Sequence, residues 1–104
     1  MRIAVLGAGA MGATAARLLG RRDDVDLLVV DPDGERAEAV AGEVGAETRG
    51  MDAETVPAEA IADADAVASC LPYRLNLTVM EACLESGTHY ADLGGLFHAT
   101  VAQL

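Results

Sequence analysis

Three glycines close to the start of the chain have a spacing that suits the binding of phosphate groups. Residues 7–12 read Gly-Ala-Gly-Ala-Met-Gly, which is the pattern G-x-G-x-x-G. In a turn from strand to helix, Gly7 would permit the tight turn, Gly9 would let the backbone approach a diphosphate, and Gly12 would let the helix pack closely on the strand. Unpaired N–H groups at the start of the helix, together with its dipole, favour the negative charge of the diphosphate. The pattern therefore predicts a dinucleotide site, held in this turn by Gly7, Gly9, Ala10, Met11 and Gly12.

The flanking residues supply the elements that such a turn needs. Arg2 to Leu6 is a short aliphatic run that predicts a buried strand, and Met11 to Leu19 is rich in alanine and leucine and predicts a helix. Because the glycines and Asp31, further along the chain, satisfy the spacing together, a turn without a ligand is the weaker interpretation.

An acidic residue stands where the choice of cofactor would be made. Asp31 ends the next predicted strand, nineteen residues after Gly12. Its carboxylate can accept both hydroxyls of the adenosine ribose, whereas a 2′-phosphate there would meet like charge. We therefore expect NAD as the preferred cofactor, with NADP possible. Arg36 would offset this preference if it turned toward a 2′-phosphate, but the sequence favours an arginine solvated on a helix face.

Two later segments place polar and aromatic residues at the ends of predicted strands. Residues 69–76 read Ser-Cys-Leu-Pro-Tyr-Arg-Leu-Asn, and residues 88–95 read Thr-His-Tyr-Ala-Asp-Leu-Gly-Gly. Open α/β sheets bind ligands at the carboxyl ends of their strands, so both segments are expected near the cofactor.

In these segments and in the glycine turn, the sequence resembles the saccharopine dehydrogenase and lysine 6-dehydrogenase family over nearly the whole chain. The amino-terminal domain of that family carries G-x-G-x-x-G, a strand that ends in S-C-L-P-x or a close variant, and a later H-Y-x-D-L-G-G. The resemblance implies an NAD(P)-dependent oxidoreductase that transfers hydride between nicotinamide and a carbon bearing nitrogen, on an amino-acid-type substrate. It also implies a cofactor lining formed by Ser69, Cys70, Leu71 and Pro72.

Tyr73 and Asp92 are the candidates for catalytic roles on the substrate side, because the resemblance implies that Tyr73 faces the active-site cleft. Both residues also have a plainer interpretation. Tyr73 could cap a helix, and Asp92 could be a strand-end carboxylate that accepts hydrogen bonds from backbone N–H groups. His89 is expected to begin a buried strand and to be structural, and His98 receives no role.

The hydrophobic pattern predicts five strands that alternate with helices. The strands are Arg2–Leu6, Val25–Val30, Glu47–Gly50, Ala64–Leu71 and Thr88–Leu93. The helices are Met11–Leu19, Glu35–Val44, Pro57–Ala62 and Arg74–Ser86. Short connections in this order predict an α/β fold, a Rossmann-type doubly wound parallel sheet with strand order 3-2-1-4-5, in a single domain. With 52% apolar but 3% aromatic residues, its core must be built from small aliphatic side chains.

The charge is strongly negative, at a formal −10 from 17 acidic and 7 basic residues, and every basic residue is an arginine. Such a surface repels nucleic acid and anionic lipid, so neither is expected as a partner. The composition fits an ordinary acidic domain or a salt-adapted protein, in which concentrated salt screens the repulsion. A melting temperature that rises markedly with salt would distinguish the second from the first.

The two cysteines, Cys70 and Cys83, stand in apolar segments without neighbours at the spacing of metal ligands. We expect both to be reduced, as in a cytoplasmic protein, and we expect no metal site.

Residues 1–104 are expected to form the dinucleotide-binding domain alone, with the substrate domain absent from this chain, and we expect the isolated chain to be inactive. Phe97, Val101 and Leu104 lie at helical spacing and suggest a surface for a second domain or for a homo-oligomer. The alternative function is a non-catalytic, nucleotide-sensing regulatory module, which would share the glycine turn and Asp31 but not the segments at 69–76 and 88–95.

Overall fold

The computed structural model of the chain describes residues 1–53, 55, 57–71 and 73–92, and of Tyr73 it describes the backbone alone. Within these residues, five strands form one sheet: β1 (Arg2–Leu6), β2 (Asp26–Val30), β3 (Glu47–Arg49), β4 (Ala66–Ser69) and β5 (His89–Asp92). The helices are α1 (Ala10–Leu19), α2 (Gly34–Val44), α3 (Pro57–Ala60) and α4 (Asn76–Ser86), and a 3₁₀ turn covers Tyr73–Leu75.

The sheet is parallel throughout, in the order β3-β2-β1-β4-β5, which confirms the predicted fold class and strand order. Leu6 pairs with both Val30 and Ser69, so the carboxyl ends of the three central strands are level with one another. This register brings the residues that follow those strands to one edge of the sheet.

Small aliphatic side chains fill the space on both faces of the sheet, as the composition predicts. On one face, α1 and α2 cover a core that includes Val5, Val29, Ala16 and Val40. On the other, α3 and α4 cover a second core. Its members include Leu6, Leu28, Val67, Val79 and Cys83. Helices on both faces make the fold doubly wound, as expected.

Two predicted elements near the later segments are shorter than the sequence pattern indicates. The fourth strand was expected over Ala64–Leu71 but pairs only over Ala66–Ser69, and the fourth helix begins at Asn76 after the 3₁₀ turn instead of at Arg74. The chain thus leaves the sheet at Cys70, whose N–H donates to the carbonyl of Leu6 at 2.9 Å. The third helix likewise ends at Ala60 instead of Ala62.

The prediction that His89 lies in a buried strand is wrong. Among the described residues β5 pairs only with β4, at an edge of the sheet. His89 and Ala91 are exposed, while Tyr90 and Asp92 on the other side of the strand are half-buried. An edge strand has one neighbour instead of two, so its first residue stays in contact with solvent.

In the part of the chain that the structure describes, no helix combines the length and the apolar character that crossing a bilayer requires. Phe97, His98, Val101 and Leu104 lie outside the described residues.

Candidate cofactor-binding site

A crevice opens where β1, β2 and β4 end at the same edge of the sheet. The N–H of Gly7 donates to the carbonyl of Val30 at 2.8 Å, so the glycine turn is fixed beside the end of β2. The crevice has a volume of about 380 Å³, within the range of small-molecule sites. Its lining includes Gly7, Gly9, Asp31, Pro32, Arg36, Met51, Asp52, Cys70, Leu71 and Arg74.

The three glycines of the turn differ in what surrounds them. Gly7 has φ +94°, and a Cβ on it would lie 3.0 Å from the carbonyl oxygen of Cys70, so both its conformation and its space exclude a side chain. A Cβ on Gly12 would overlap the carbonyl oxygen of Gly7. A Cβ on Gly9 would meet no atom within 4 Å. The protein therefore requires glycine at 7 and 12 for its own packing, and leaves open space beside Gly9.

That space adjoins the start of α1. Gly9 is the residue before the helix and provides no side-chain cap, and the first helical hydrogen bond runs from the N–H of Ala13 to the carbonyl of Gly9. The N–H groups of the first turn have no partner inside a helix. Ala10 and Met11 are exposed there, and no acidic side chain lies in the first turn. This geometry fits a diphosphate, because donors and the helix dipole meet open space.

Asp31 lies in the crevice as predicted, but its carboxylate already has partners. Its Oδ2 accepts from the N–H of Ala8 at 2.8 Å, and its Oδ1 accepts from the N–H of Asp33 at 2.8 Å. One nitrogen of the Arg36 guanidinium, Nη2, lies 3.1 Å from Oδ1 and 3.0 Å from Oδ2. The side chain of Asp31 is only 2% exposed. Three donor nitrogens thus already share the carboxylate to which the ribose hydroxyls are expected to donate.

The prediction that Arg36 is a solvated helix-face residue holds for its exposure but did not include its pairing with Asp31. Its side chain remains 52% exposed but folds back from the first turn of α2 onto Asp31 and lines the crevice. The physical reason is the burial of Asp31, since an ionised carboxylate removed from water needs a compensating charge. Burial acts to raise the pKa of Asp31, but hydrogen bonds from Ala8, Asp33 and Arg36 outweigh it and hold that pKa below its ordinary value.

Because the pKa of Asp31 is lowered, we expect the free energy of unfolding to depend on this residue and on pH. A carboxyl with a lower pKa in the folded state stabilises the protein above its unfolded pKa, near 3.8, and this contribution is lost as the pH falls through the folded pKa. At neutral pH we expect Asp31→Asn to lower the free energy of unfolding by about 2 kcal/mol, and we expect the difference from wild type to shrink below pH 4. Urea unfolding at several pH values measures both, with exposed Asp23→Asn as the control for loss of one charge. A difference that stays constant down to pH 2.5 would contradict the assignment.

Two of the four predicted cofactor residues at the end of β4 line the crevice directly. Cys70 and Leu71 line it, whereas Ser69 is buried and its hydroxyl donates to Asn76 Oδ1 at 3.3 Å. Pro72 lies outside the described residues. Burial raises the pKa of the Cys70 thiol, and that of Cys83. Both cysteines are free, as predicted.

Of the two catalytic candidates, only Asp92 has a described side chain. The hydroxyl of Tyr90 lies 2.6 Å from Asp92 Oδ2 and 3.3 Å from the carbonyl oxygen of Asn76. Burial, followed by the hydrogen bond with Asp92, raises the pKa of Tyr90, so its hydroxyl stays protonated and donates. Asp92 also borders a smaller concavity of about 140 Å³ with Ser69 and Cys70. The side chain of Tyr73 lies outside the described residues.

Sequence reasoning missed several residues of the crevice, namely Arg36, Met51, Asp52, Ala53, Arg74 and Leu75. Met51 to Ala53 could have been predicted, because they follow β3 and the carboxyl ends of parallel strands lie at one edge of the sheet. Arg74 was part of a segment already noted, without a role. Within the described ranges, no group of three or more potential ligands could hold a metal ion.

Two comparisons of the sequence with known proteins give matches that cover most of the chain. The family model described as "Saccharopine dehydrogenase NADP binding domain" matches residues 3–103. The chain is also 36% identical over 88 residues to inositol 2-dehydrogenase of Rhizobium meliloti (strain 1021), an alignment that covers 84% of this chain and 26% of that protein.

Solved structures show the same fold. Saccharopine dehydrogenase (L-Glu forming) from Saccharomyces cerevisiae superposes with a TM-score of 0.87 at 21% identity, over 97% of this chain and 23% of that one. A myo-inositol dehydrogenase from Corynebacterium glutamicum superposes with a TM-score of 0.75 at 27% identity, over 88% of this chain and 27% of that one. The chain thus spans about a quarter of the length of these relatives. The match over residues 3–103, together with the glycine turn and its crevice, shows that the chain belongs to the family of saccharopine dehydrogenase NAD(P)-binding domains.

Proposed function

We propose that these residues bind the nicotinamide dinucleotide of an oxidoreductase and present its ring to an amino-acid-type substrate. The observation that carries the proposal is the open space beside Gly9 at the start of α1, where a diphosphate would meet unpaired N–H groups. The bound cofactor would supply the hydride chemistry, and the chain would fix the position of the ring.

A second substrate class is favoured by one comparison. The identity of 36% is to a protein named inositol 2-dehydrogenase, which suggests a polyol whose alcohol carbon exchanges hydride. We place the amino-acid-type substrate first because the family model that spans the chain is that of saccharopine dehydrogenase. Activity of the whole protein with amino-acid donors against polyols distinguishes the two.

We propose roles for the remaining site residues from their positions at the ends of β4 and β5. Cys70, Leu71 and, by family resemblance, Ser69 and Pro72 would border the cofactor, and Tyr73 and Asp92 would stand on the substrate side. The hydrogen bond from Tyr90 holds the Asp92 carboxylate in one orientation, which suits a positioning role. We propose that the residues that bind substrate lie largely outside this chain, and that the 104 residues alone bind cofactor without turnover.

We further propose NAD as the preferred cofactor, because Asp31 presents a carboxylate in the crevice where a 2′-phosphate would lie. The unpaired cysteines support a reducing compartment, and we propose the cytoplasm.

The test is a thermal-shift titration of the chain with NAD and with NADP. We expect NAD to raise the melting temperature, by an amount that grows with the logarithm of its concentration above Kd, and NADP to raise it less. No shift with either dinucleotide would reject the function. Equal shifts would reject only the preference for NAD.

A further inference from the structure

The Tyr90 hydroxyl has two acceptors but a single hydrogen. Asp92 Oδ2 lies 2.6 Å from the hydroxyl oxygen, and the carbonyl oxygen of Asn76 lies 3.3 Å from it. The shorter distance is typical of a hydroxyl that donates to an ionised carboxylate, whereas the longer one exceeds the usual length of an O–H···O bond. The hydrogen of Tyr90 therefore points to Asp92 as long as that carboxylate is ionised.

Protonation of Asp92 would reverse this preference. A neutral carboxyl group lacks the charge that strengthens the bond from Tyr90. The carbonyl oxygen of Asn76, the first residue of α4, has two lone pairs, so it can accept from a hydroxyl in addition to a helical N–H. Rotation about the C–O bond of Tyr90 would turn the hydrogen to that carbonyl and leave the hydroxyl oxygen able to accept from a protonated Asp92. The half-buried hydroxyl thus has an acceptor in either state of Asp92, which avoids the cost of an unsatisfied donor.

The surroundings of Tyr90 make Asp92 the group that controls this choice. Within the described residues, the groups that act on the Tyr90 hydroxyl are Asp92 on its own strand, Ser69 on β4, and Asn76 and Cys83 on α4. Burial raises the pKa of the Cys83 thiol, so this thiol is neutral at physiological pH. Burial, followed by the hydrogen bond with Asp92, raises the pKa of Tyr90, so the phenol also stays protonated. Asp92 is the one carboxyl group in this set.

The proposed chemistry requires a group that changes its protonation state. When CH–NH is oxidised to C=N, or CH–OH to C=O, the carbon gives a hydride to the nicotinamide and the nitrogen or oxygen gives a proton to a base. Asp92 borders the smaller concavity at the ends of β4 and β5, and we have proposed it for the substrate side. As the base, Asp92 would be ionised before this step and neutral after it.

We infer that Tyr90 is a positioning residue for Asp92 in both of its protonation states. Its hydroxyl donates to the ionised carboxylate and turns to the Asn76 carbonyl once Asp92 has accepted a proton. The inference rests on the proposed function. Asp92 can consequently gain and lose a proton within the folded protein without leaving the Tyr90 hydroxyl unpaired.

The experiment follows the Tyr90 hydroxyl by ¹³C NMR. The chain contains two tyrosines, so Tyr73→Phe leaves Tyr90 as the single source of signal when tyrosine is labelled at the ring carbon that bears the hydroxyl. The chemical shift of this carbon responds to the hydrogen bonds and to the ionisation of the hydroxyl. As the pH is lowered from neutral, we expect this shift to change while circular dichroism shows a folded chain. Asp92→Asn should abolish the change, and the matched control Asp23→Asn, at an exposed carboxylate, should retain it.

The same label tests the contact at alkaline pH, where acid stability plays no part. Because Asp92 contributes to the raised pKa of Tyr90, we expect Asp92→Asn to increase the acid dissociation constant of the phenol about tenfold. Asp23→Asn should leave that constant unchanged.

Three results overturn the inference. The first is a Tyr90 chemical shift that stays constant from neutral pH down to the pH of unfolding, and the second is an equal change in Asp92→Asn. The third is a phenol that ionises in Asp92→Asn at no lower pH than in the parent chain. Each of these results leaves cofactor binding untouched. Absence of a thermal shift with both NAD and NADP instead rejects the proposed function, and the inference with it.

Discussion

Replacement of Gly9 by valine is expected to abolish cofactor binding and to leave the fold intact. A Cβ at Gly9 meets no protein atom within 4 Å, and the backbone there has φ −73°, which any residue adopts. The side chain would instead occupy the space in front of the α1 N–H groups, where the diphosphate would lie. At an NAD concentration one hundred times Kd, wild type should gain about 2.7 kcal/mol of stability and the variant should gain none.

The matched control is Gly42→Val, since Gly42 also has open space around it but lies toward the other end of α2. We expect this variant to keep the full NAD-dependent shift in melting temperature. If Gly9→Val retained the affinity of wild type, the diphosphate would have to bind elsewhere.

Gly12→Ala should instead damage the fold. The added methyl would overlap the carbonyl oxygen of Gly7, a backbone atom that is itself held by the bond from Gly7 N–H to Val30. Because neither side of this contact is a flexible side chain, we expect a loss of about 3 kcal/mol or more in the free energy of unfolding. Chemical denaturation measures it directly.

Gly42→Ala is the control for glycine replacement within a helix. There the methyl enters open space, and we expect a gain of about 0.5–1 kcal/mol, because alanine loses less backbone entropy than glycine. If Gly12→Ala lowered the free energy of unfolding by only about 0.5–1 kcal/mol, α1 could move away from β1 at little cost. That result would contradict the requirement for glycine at position 12.

The contrast between these glycines explains why the fold and the phosphate turn could be predicted from the sequence. Gly12 is required by its contact with the carbonyl oxygen of Gly7, five residues earlier, and Gly7 is required by its own φ of +94°, so the spacing of the two glycines carries the signal. The strand order followed in the same way from short connections and apolar runs, and the parallel register then fixed which strand ends meet.

Arg36 shows what the sequence could not reveal. In the sequence, an arginine in the first turn of an amphipathic helix looks like any solvated side chain. Its pairing depends on the burial of Asp31, which results from the approach of the glycine turn and the end of β2 in space. His89 illustrates the same limit, since its exposure depends on how many strands flank β5 and not on its own neighbours in the chain.

The most direct test of the account is to observe the backbone amides at the start of α1 while NAD is added. In a ¹⁵N–¹H correlation experiment on the labelled chain, the largest chemical-shift changes are expected at Ala10, Met11 and Gly12, with further changes at Asp31. Changes confined to another surface, such as the cleft between Arg17 and Val44, with the α1 amides unaffected, would contradict the claim that these N–H groups hold the diphosphate.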